Sequence, residues 1–513
     1  MSEDTSTLRE ETTEREGLAL RTRIRNNPRP FLMWAVPMSI LIAVEFGTYA
    51  GIVLGALDAL VLGVTGLLDV LVGLVSASAE QMIVDVQNTL VSTLRGAGGF
   101  TDNIITLFSR DVIPNQGYQT GPNSGWNGTF LGLPPAYAWA LRFSLIIAYS
   151  LFTAYWTFRG WLVYRKHYRE ADWTPTDNII ENLRDHQWGQ FGIVVLVLFL
   201  TMAVFGPALG PTTVERNIQS SYEYTIQYYS EEDGSVQTTY VGQANFGSKS
   251  KGGSQNVGPM SYDDYGRFHP FGTIPNGRDL FTFMMGGARI TMIVTGIAII
   301  GAAIIAALLS MFSAYYGGSV DLAVLTTADG VVSVPQLLLL IMVSAVFANH
   351  WLGQILDGGM LLALVFAFTT WPFLWRAVRG PALQVAQEEW ILAAKSYGQT
   401  PRKIMRKHMF PYILGYLLVY ASMSAGGIII SLSALSFLGN GLGISAPTPA
   451  WGRAISLGQD YVSGPSWHIS LLPGLMIVLL VTGLNALGDG IRDAIDPETV
   501  GDEGEEAAAG GGG

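Results

Sequence analysis

Residues 191–211 read FGIVVLVLFLTMAVFGPALGP. The run contains no ionisable side chain, and at about 1.5 Å per helical residue it matches the ~30 Å hydrocarbon core of a bilayer. It marks the chain as an integral membrane protein. Working outward, further apolar runs lie at about 31–54, 137–158, 284–314, 322–348, 358–378, 411–437 and 469–488, which gives about eight spans and an all-α membrane fold. Composition agrees. The chain is 49% hydrophobic and 13% charged, where soluble domains carry roughly 25% charge.

The basic residues orient the spans. Arg9, Arg15, Arg21, Arg23, Arg25 and Arg29 fill a polar tail, residues 1–30, before the first run, so the positive-inside rule places that end in the cytoplasm. A charged region this long, without a small-residue cleavage site, is unlike a signal peptide. Residues 53–136 hold only Arg95 and Arg110 and fall outside, whereas Arg159, Arg165, Lys166 and Arg169 follow the next span and fall inside. The parity of this assignment makes 55–95, interrupted by Asp58 and Asp69, an external amphipathic helix rather than a span. The segment between 211 and 280 is acidic and external. In it, Asp233-Gly234 between β-forming residues signals a hairpin. Both termini then lie inside, and the acidic tail 498–513 reads as disordered. Asn127-Gly-Thr forms an outward-facing glycosylation sequon.

Composition also excludes chemistry. Without cysteine there is no disulfide, thiolate metal site or cysteine nucleophile, and the six histidines show no ligand spacing. No catalytic constellation and no metal site is expected. No G-x-x-x-x-G-K-[ST] phosphate loop occurs, so nucleotide must be handled elsewhere. The net charge of −11 and the scarcity of lysine fit a salt-rich cytoplasm as well as they fit an ordinary acidic protein.

One polar stretch between spans carries a pattern of its own: GPALQVAQEEWILAAKSYGQTPRKIMRKHMFP, residues 380–411. Leu383, Ala386, Trp390, Ala393, Ala394 and Tyr397 recur at three- and four-residue intervals, which predicts a short helix with one apolar face. Gly398 suits the left-handed turn that ends a helix, and Thr400-Pro401 supplies an N-cap and first-turn proline for a second. Pro411 turns the chain back into the membrane. Such a face fits a groove in another protein, or equally its own bundle.

The order Glu389, Ala393-Ala394, Gly398, then His408-Met-Phe-Pro411 resembles the Glu-Ala-Ala loop of ABC importer permeases. The chain from about 190 onward is similar to the C-type permease of the dipeptide/oligopeptide/nickel importers. GTIPNGRDLFTFMMGGARIT (272–291), ALSFLGNGLGISAPTPAWGRAI (434–455) and PGLMIVLLVTGLNALGDGIRDAIDP (473–497) carry this likeness. The resemblance implies a six-helix core preceded by a two-span extension, with domains at 31–188, 189–280 and 281–497. It makes 381–410 the coupling segment that docks on an ATPase through Glu389, Trp390, Leu392, Ala393, Ala394, Gly398 and Pro411. It implies a second permease, two ATP-binding subunits that hold ATP and Mg, an extracellular binding protein, the lipid bilayer and no nucleic acid. Gly277, Arg278 and Asp279 belong to an external loop, in which Arg278 and Asp279 are expected to make charge-assisted hydrogen bonds. Gly439, Gly441 and Gly443 form a turn or gate, and Asp489 with Arg492 is expected to pair on one helix face.

The chain departs from the family in places. Leu392 replaces the glutamate of the Glu-Ala-Ala triplet, so an apolar contact must serve there, and Ile274 replaces the aspartate of Gly-Thr-Asp. The two spans before residue 160 have no counterpart in short members. If they are accessory, deletion of 1–188 spares part of uptake. The rival readings are an ion-coupled secondary transporter using Glu45, Arg289 or Asp329, and the same importer carrying sugar or nickel.

Overall fold

The structure, a computed structural model, describes residues 19–495 apart from 74–76, 103, 105, 123, 170–174, 252–255, 348–349 and 440–441. The readings placed on residues 1–18, on Gly441 and on the tail 498–513 lie outside the described residues.

Helices follow the apolar runs and continue through several prolines that stand in them, Pro37, Pro207, Pro372, Pro381 and Pro473. They are α1 Pro28–Val44, α2 Phe46–Gly73, α3 Ala77–Asp102, α4 Pro135–His167, α5 Pro175–Asp185, α6 Gln187–Leu209, α7 Leu280–Tyr316, α8 Gly318–Ser333, α9 Gln336–Val346, α10 Gly359–Ala386, α11 Glu389–Ser396, α12 Phe410–Leu438, α13 Trp451–Gly458 and α14 His468–Ile495. Among the described residues, seven helices are long and apolar enough to cross a membrane, or eight if the bent pair α8–α9 counts as one span. The fold is all-α and multi-spanning.

Three expected elements are corrected. The first span, expected at 31–54, is broken at Glu45, whose buried carboxylate accepts the Phe108 amide (3.1 Å) and the Thr48 hydroxyl (2.8 Å). Those bonds, with the Leu107 amide donated to Val44 O (3.3 Å), tie the joint to loop 106–115 and draw the last carbonyl of α1 out of the helical ladder. The amphipathic helix expected at 55–95 is an antiparallel pair, α2 and α3, and Phe46–Gly63 is itself apolar and long enough to span. The span expected at 322–348 is bent by 76° between α8 and α9. Pro335 sits at the bend, and it removes an amide and disfavours helix at the preceding residue.

Small residues let the helices approach. A Cβ on Gly192 would lie 2.5 Å from the Leu487 nitrogen, and one on Gly490 would lie 2.6 Å from the Gly189 Cα, so α6 and α14 cross almost backbone to backbone. Toward the cap end of the bundle Phe199, Phe205, Met284, Trp451 and Leu480 form one buried cluster. A second, of Trp371, Trp375, Ile391, Ile404 and Ile413, sits at the opposite end of α7. Within the extension α1 is tied to α4. Trp34 Nε1 donates to the Trp156 carbonyl and Trp156 Nε1 to that of Trp34, each at 3.0 Å.

One end of the bundle carries a cap, residues 210–280, and the other carries 387–409. In the cap, strands Thr225–Ser230 and Ser235–Tyr240 pair antiparallel across Asp233-Gly234, with Gly234 at φ +61°, as the turn chemistry predicts.

Candidate functional site

Segment 387–409 differs from the single apolar helix expected. α10 continues through Pro372 and Pro381 to Ala386, so Leu383 and Ala386 belong to the membrane helix, and α11 begins afresh at Glu389. The stripe is therefore divided. Ile391 and Ala394 point into the bundle, while Trp390 (44% exposed), Leu392 (51%), Ala393 and Tyr397 (88%) face out. Glu389 opens the helix and is also exposed, where a carboxylate suits the N-terminal dipole.

The helix ends in a double-bonded turn. Gly398, at φ +71°, donates its amide to Lys395 O (3.0 Å) and Gln399 donates to Ala394 O (3.1 Å), the Schellman pattern that a left-handed glycine permits. Lys395 Nζ lies 4.5 Å from the Tyr315 ring centroid, which ties α11 to the end of α7. Thr400 and Pro401 occupy the expected cap and first-turn positions, but the threonine side chain makes no capping bond. Pro411 does not redirect the chain. The backbone stays helical from Pro401 to Leu438, and the wide turn at Met405–Met409 makes room for the proline ring.

At the cap end, sequence reasoning found Gly277 and Asp279 but missed the network around them. Asp279 is buried, accepts the Thr282 amide (2.6 Å) as the N-cap of α7, and receives His269 Nδ1 at 2.8 Å. The other imidazole nitrogen, Nε2, lies 3.2 Å from Asp263 Oδ2, which also takes Arg267 Nε (2.7 Å) and the Ser248 hydroxyl (2.8 Å). Arg267 further donates to Asn245 Oδ1 at 2.7 Å. Both ring nitrogens face carboxylates, so the imidazolium satisfies both, and two cations then balance two anions in a buried site. Burial disfavours the charged imidazole, but the hydrogen bonds it donates to the two carboxylates, and their charge, outweigh it and raise the His269 pKa. Burial likewise pushes Asp263 up, and Arg267 with His269 overrides it and holds the carboxyl well below the usual range. The adjoining cavity, lined by Asn217, Arg267, His269 and Asp279, has room for about one water, so this network holds the loop together rather than a solute. An Asp263-x-x-x-Arg267-x-His269 spacing was the available signal; nothing in the sequence pairs it with Asp279.

Gly277 has a steric reason: at φ +81°, a Cβ there would lie 1.6 Å from Asn245 O. Arg278 is corrected. Its guanidinium is half-buried and makes no hydrogen bond or ion pair among the described residues, because its neighbour Asp279 is turned into the cap toward His269. Asp489 and Arg492 do not pair either; at that end His186 Nε2 meets Asp493 at 3.0 Å. Gly439 takes φ +70° and Gly443 φ +80°, consistent with a turn. Asp329 and Asp321 pair with Arg376 and Arg379. Among the described residues no cluster of metal-ligating side chains occurs.

Known proteins share this arrangement of sequence. Residues 283–501 match the family described as binding-protein-dependent transport system inner membrane component. The chain is 30% identical over 325 residues to the dipeptide transport system permease protein DppC of Alkalihalophilus pseudofirmus, covering 90% of that protein and 63% of this one. It is 28% identical to the oligopeptide transport system permease protein OppC of Bacillus subtilis, over 87% of that protein and 61% of this one. To the glutathione transport system permease protein GsiD of Escherichia coli it is 35% identical, over 73% of that protein and 45% of this one. With nine-tenths of a relative covered and the spans in place, the chain belongs to the binding-protein-dependent transport system inner membrane components, the ABC importer permeases that its loop sequence resembles.

Proposed function

We propose that this chain is the C-type permease subunit of a peptide importer, and that α11 is its coupling helix. The observation that carries the reading is the outward face of α11. Trp390, Leu392 and Tyr397 stand exposed on a helix whose other side is anchored by Ile391 and Ala394, where a solvated loop has no use for three large apolar groups. Leu392 fits an apolar contact in place of a carboxylate. A partner ATPase pair, with ATP and Mg bound there, closes and pushes on α11; Ile391 and Lys395 pass the displacement to α10 and α7. A second permease completes the path, and an external binding protein delivers the solute. The names of the relatives favour peptides over sugar or nickel. On this reading 387–409 lies in the cytoplasm, supported by its basic residues, and the cap faces outward. Nucleotide drives the change only if it binds one arrangement better than the other.

Ala393 is exposed, so Ala393→Glu leaves the fold intact while placing a charge in the contact. Gly398→Pro removes the amide that donates to Lys395 O and forbids the left-handed turn. Both variants are expected to reach the membrane yet fail to co-purify with a P-loop ATPase. Undiminished co-purification of both overturns the coupling assignment.

A further inference from the structure

The extension meets the core at both ends, through α5 against α14 at one and, at the cap, through a concentrated set of hydrogen bonds. The backbone carbonyls that end α6 and follow it accept, one after another, from side chains of the extension. Arg142 Nε donates to Ala208 O (3.0 Å), Trp139 Nε1 to Leu209 O (2.9 Å), and Arg142 Nη2 (2.8 Å) with Arg110 Nη2 (2.5 Å) to Gly210 O. Asn115 Nδ2 donates to Pro211 O (3.1 Å), and Arg110 Nη2 also to Thr212 O (2.6 Å). Residues 209–212 are buried and Arg142 is fully so. Neither arginine forms an ion pair with a carboxylate among the described residues. Their charge is instead matched to the negative end of the α6 dipole and to oriented carbonyls.

The grip is braced on both sides. Arg142 Nη1 reaches Ile113 O (3.0 Å) and Asn115 Oδ1 (2.7 Å), and Glu45 holds the Phe108 amide, so loop 106–115 is fixed before Arg110 and Asn115 use it. From Thr212 the chain runs directly to Asn217, whose Oδ1 accepts the Asp279 amide (2.8 Å) at the N-cap of α7. The extension thus holds the segment that joins the cap-side ends of the first two core helices.

We propose that Arg142 and Arg110 are positioning residues for transport, forming an intramolecular clamp through which the extension sets the cap-side ends of α6 and α7. The clamp makes residues 106–167 an obligatory part of the permease. Deleting 1–188 would strip the side-chain donors from these carbonyls together. The proposal rests on the importer reading only for its transport readout.

The test uses the full chain in its native membrane. The protein lacks cysteine, so Thr212→Cys, at a buried position, reports access to a membrane-impermeant maleimide. With the clamp intact labelling is slow; in Arg142→Met it accelerates about tenfold or more, as the segment opens locally. In parallel, uptake of radiolabelled trialanine per ATP hydrolysed falls about tenfold in Arg142→Met and recovers in part with Arg142→Lys. Mere loss of protein lowers uptake and hydrolysis together and leaves their ratio unchanged. Unaltered labelling with an unaltered ratio overturns the clamp. If Arg142→Met is not recovered in the membrane, Arg110→Gln, which keeps the Arg142 bonds, is judged by the same two readouts and the same two outcomes. Wild-type cells whose trialanine uptake is indifferent to loss of this chain refute the peptide reading instead, and the labelling then decides the clamp alone.

Discussion

The two ends of the bundle satisfy their chemistry in opposite ways. At the cap, buried charges and carbonyls find partners inside the chain: Asp263 with Arg267, His269 with both aspartates, and the α6 carbonyls with Arg142 and Arg110. At 387–409 the backbone is closed by its own Schellman turn, yet Trp390, Leu392 and Tyr397 are left in solvent. A region that completes itself can be fixed without help, whereas one that displays apolar side chains on a rigid turn is, on the proposed reading, completed by a partner. The cap therefore resists perturbation until a buried partner is removed. On the proposed reading, the 387–409 end tolerates substitution by itself and fails only at the contact with its partner.

The largest effect expected is at the cap. Arg267→Met leaves Asp263 buried with its main counter-charge gone, which costs about 3–5 kcal/mol. Hydrogen exchange of the 212–280 amides measures it, and a loss under about 1 kcal/mol would mean that the network is weaker than its geometry. Gly277→Ala comes next. Backbone strain at its positive φ costs about 1–3 kcal/mol before the collision with Asn245 is counted. Unaltered cap exchange in this variant would show that the Asn245 loop yields freely.

A smaller and reversible effect follows from pH. The folded His269 pKa is raised, so its contribution is whole below about pH 6.5, the unfolded value, and is lost as pH climbs through the folded one. The folded Asp263 pKa is depressed, so its contribution is whole above about pH 4 and is lost as pH falls through the folded value. Cap protection should thus be greatest between these limits. His269→Gln should abolish the alkaline decline while leaving the acid limb; an alkaline decline that survives in the variant assigns it to another group. The smallest effect on the isolated chain is at the other end. Leu392→Ser and Tyr397→Ser change its stability within about 0.5 kcal/mol, while ATPase recovery falls about tenfold. Equal losses of both quantities would break the contrast between the ends.

Much of the fold was legible because span-forming helices depend on local composition. A run such as 191–211 has no alternative to crossing a bilayer, and the hairpin at Asp233-Gly234 and the turn at Gly398 follow from residues that sit together in the chain. Segment by segment, the sequence by itself determined the membrane class, the order of the core helices and the place of the polar segment 387–409 between two of them. The tertiary structure decided which way α11 faces, since Ile391 and Ala394 are anchored by α7, well removed from them in the chain, together with α10 and α12. It alone joined Asp263 and His269 to Asp279, and Arg110 and Arg142 to residues 208–212. These bonds link residues up to 102 apart in sequence, and a hydrogen bond or ion pair acts only at contact distance, so no local pattern records it.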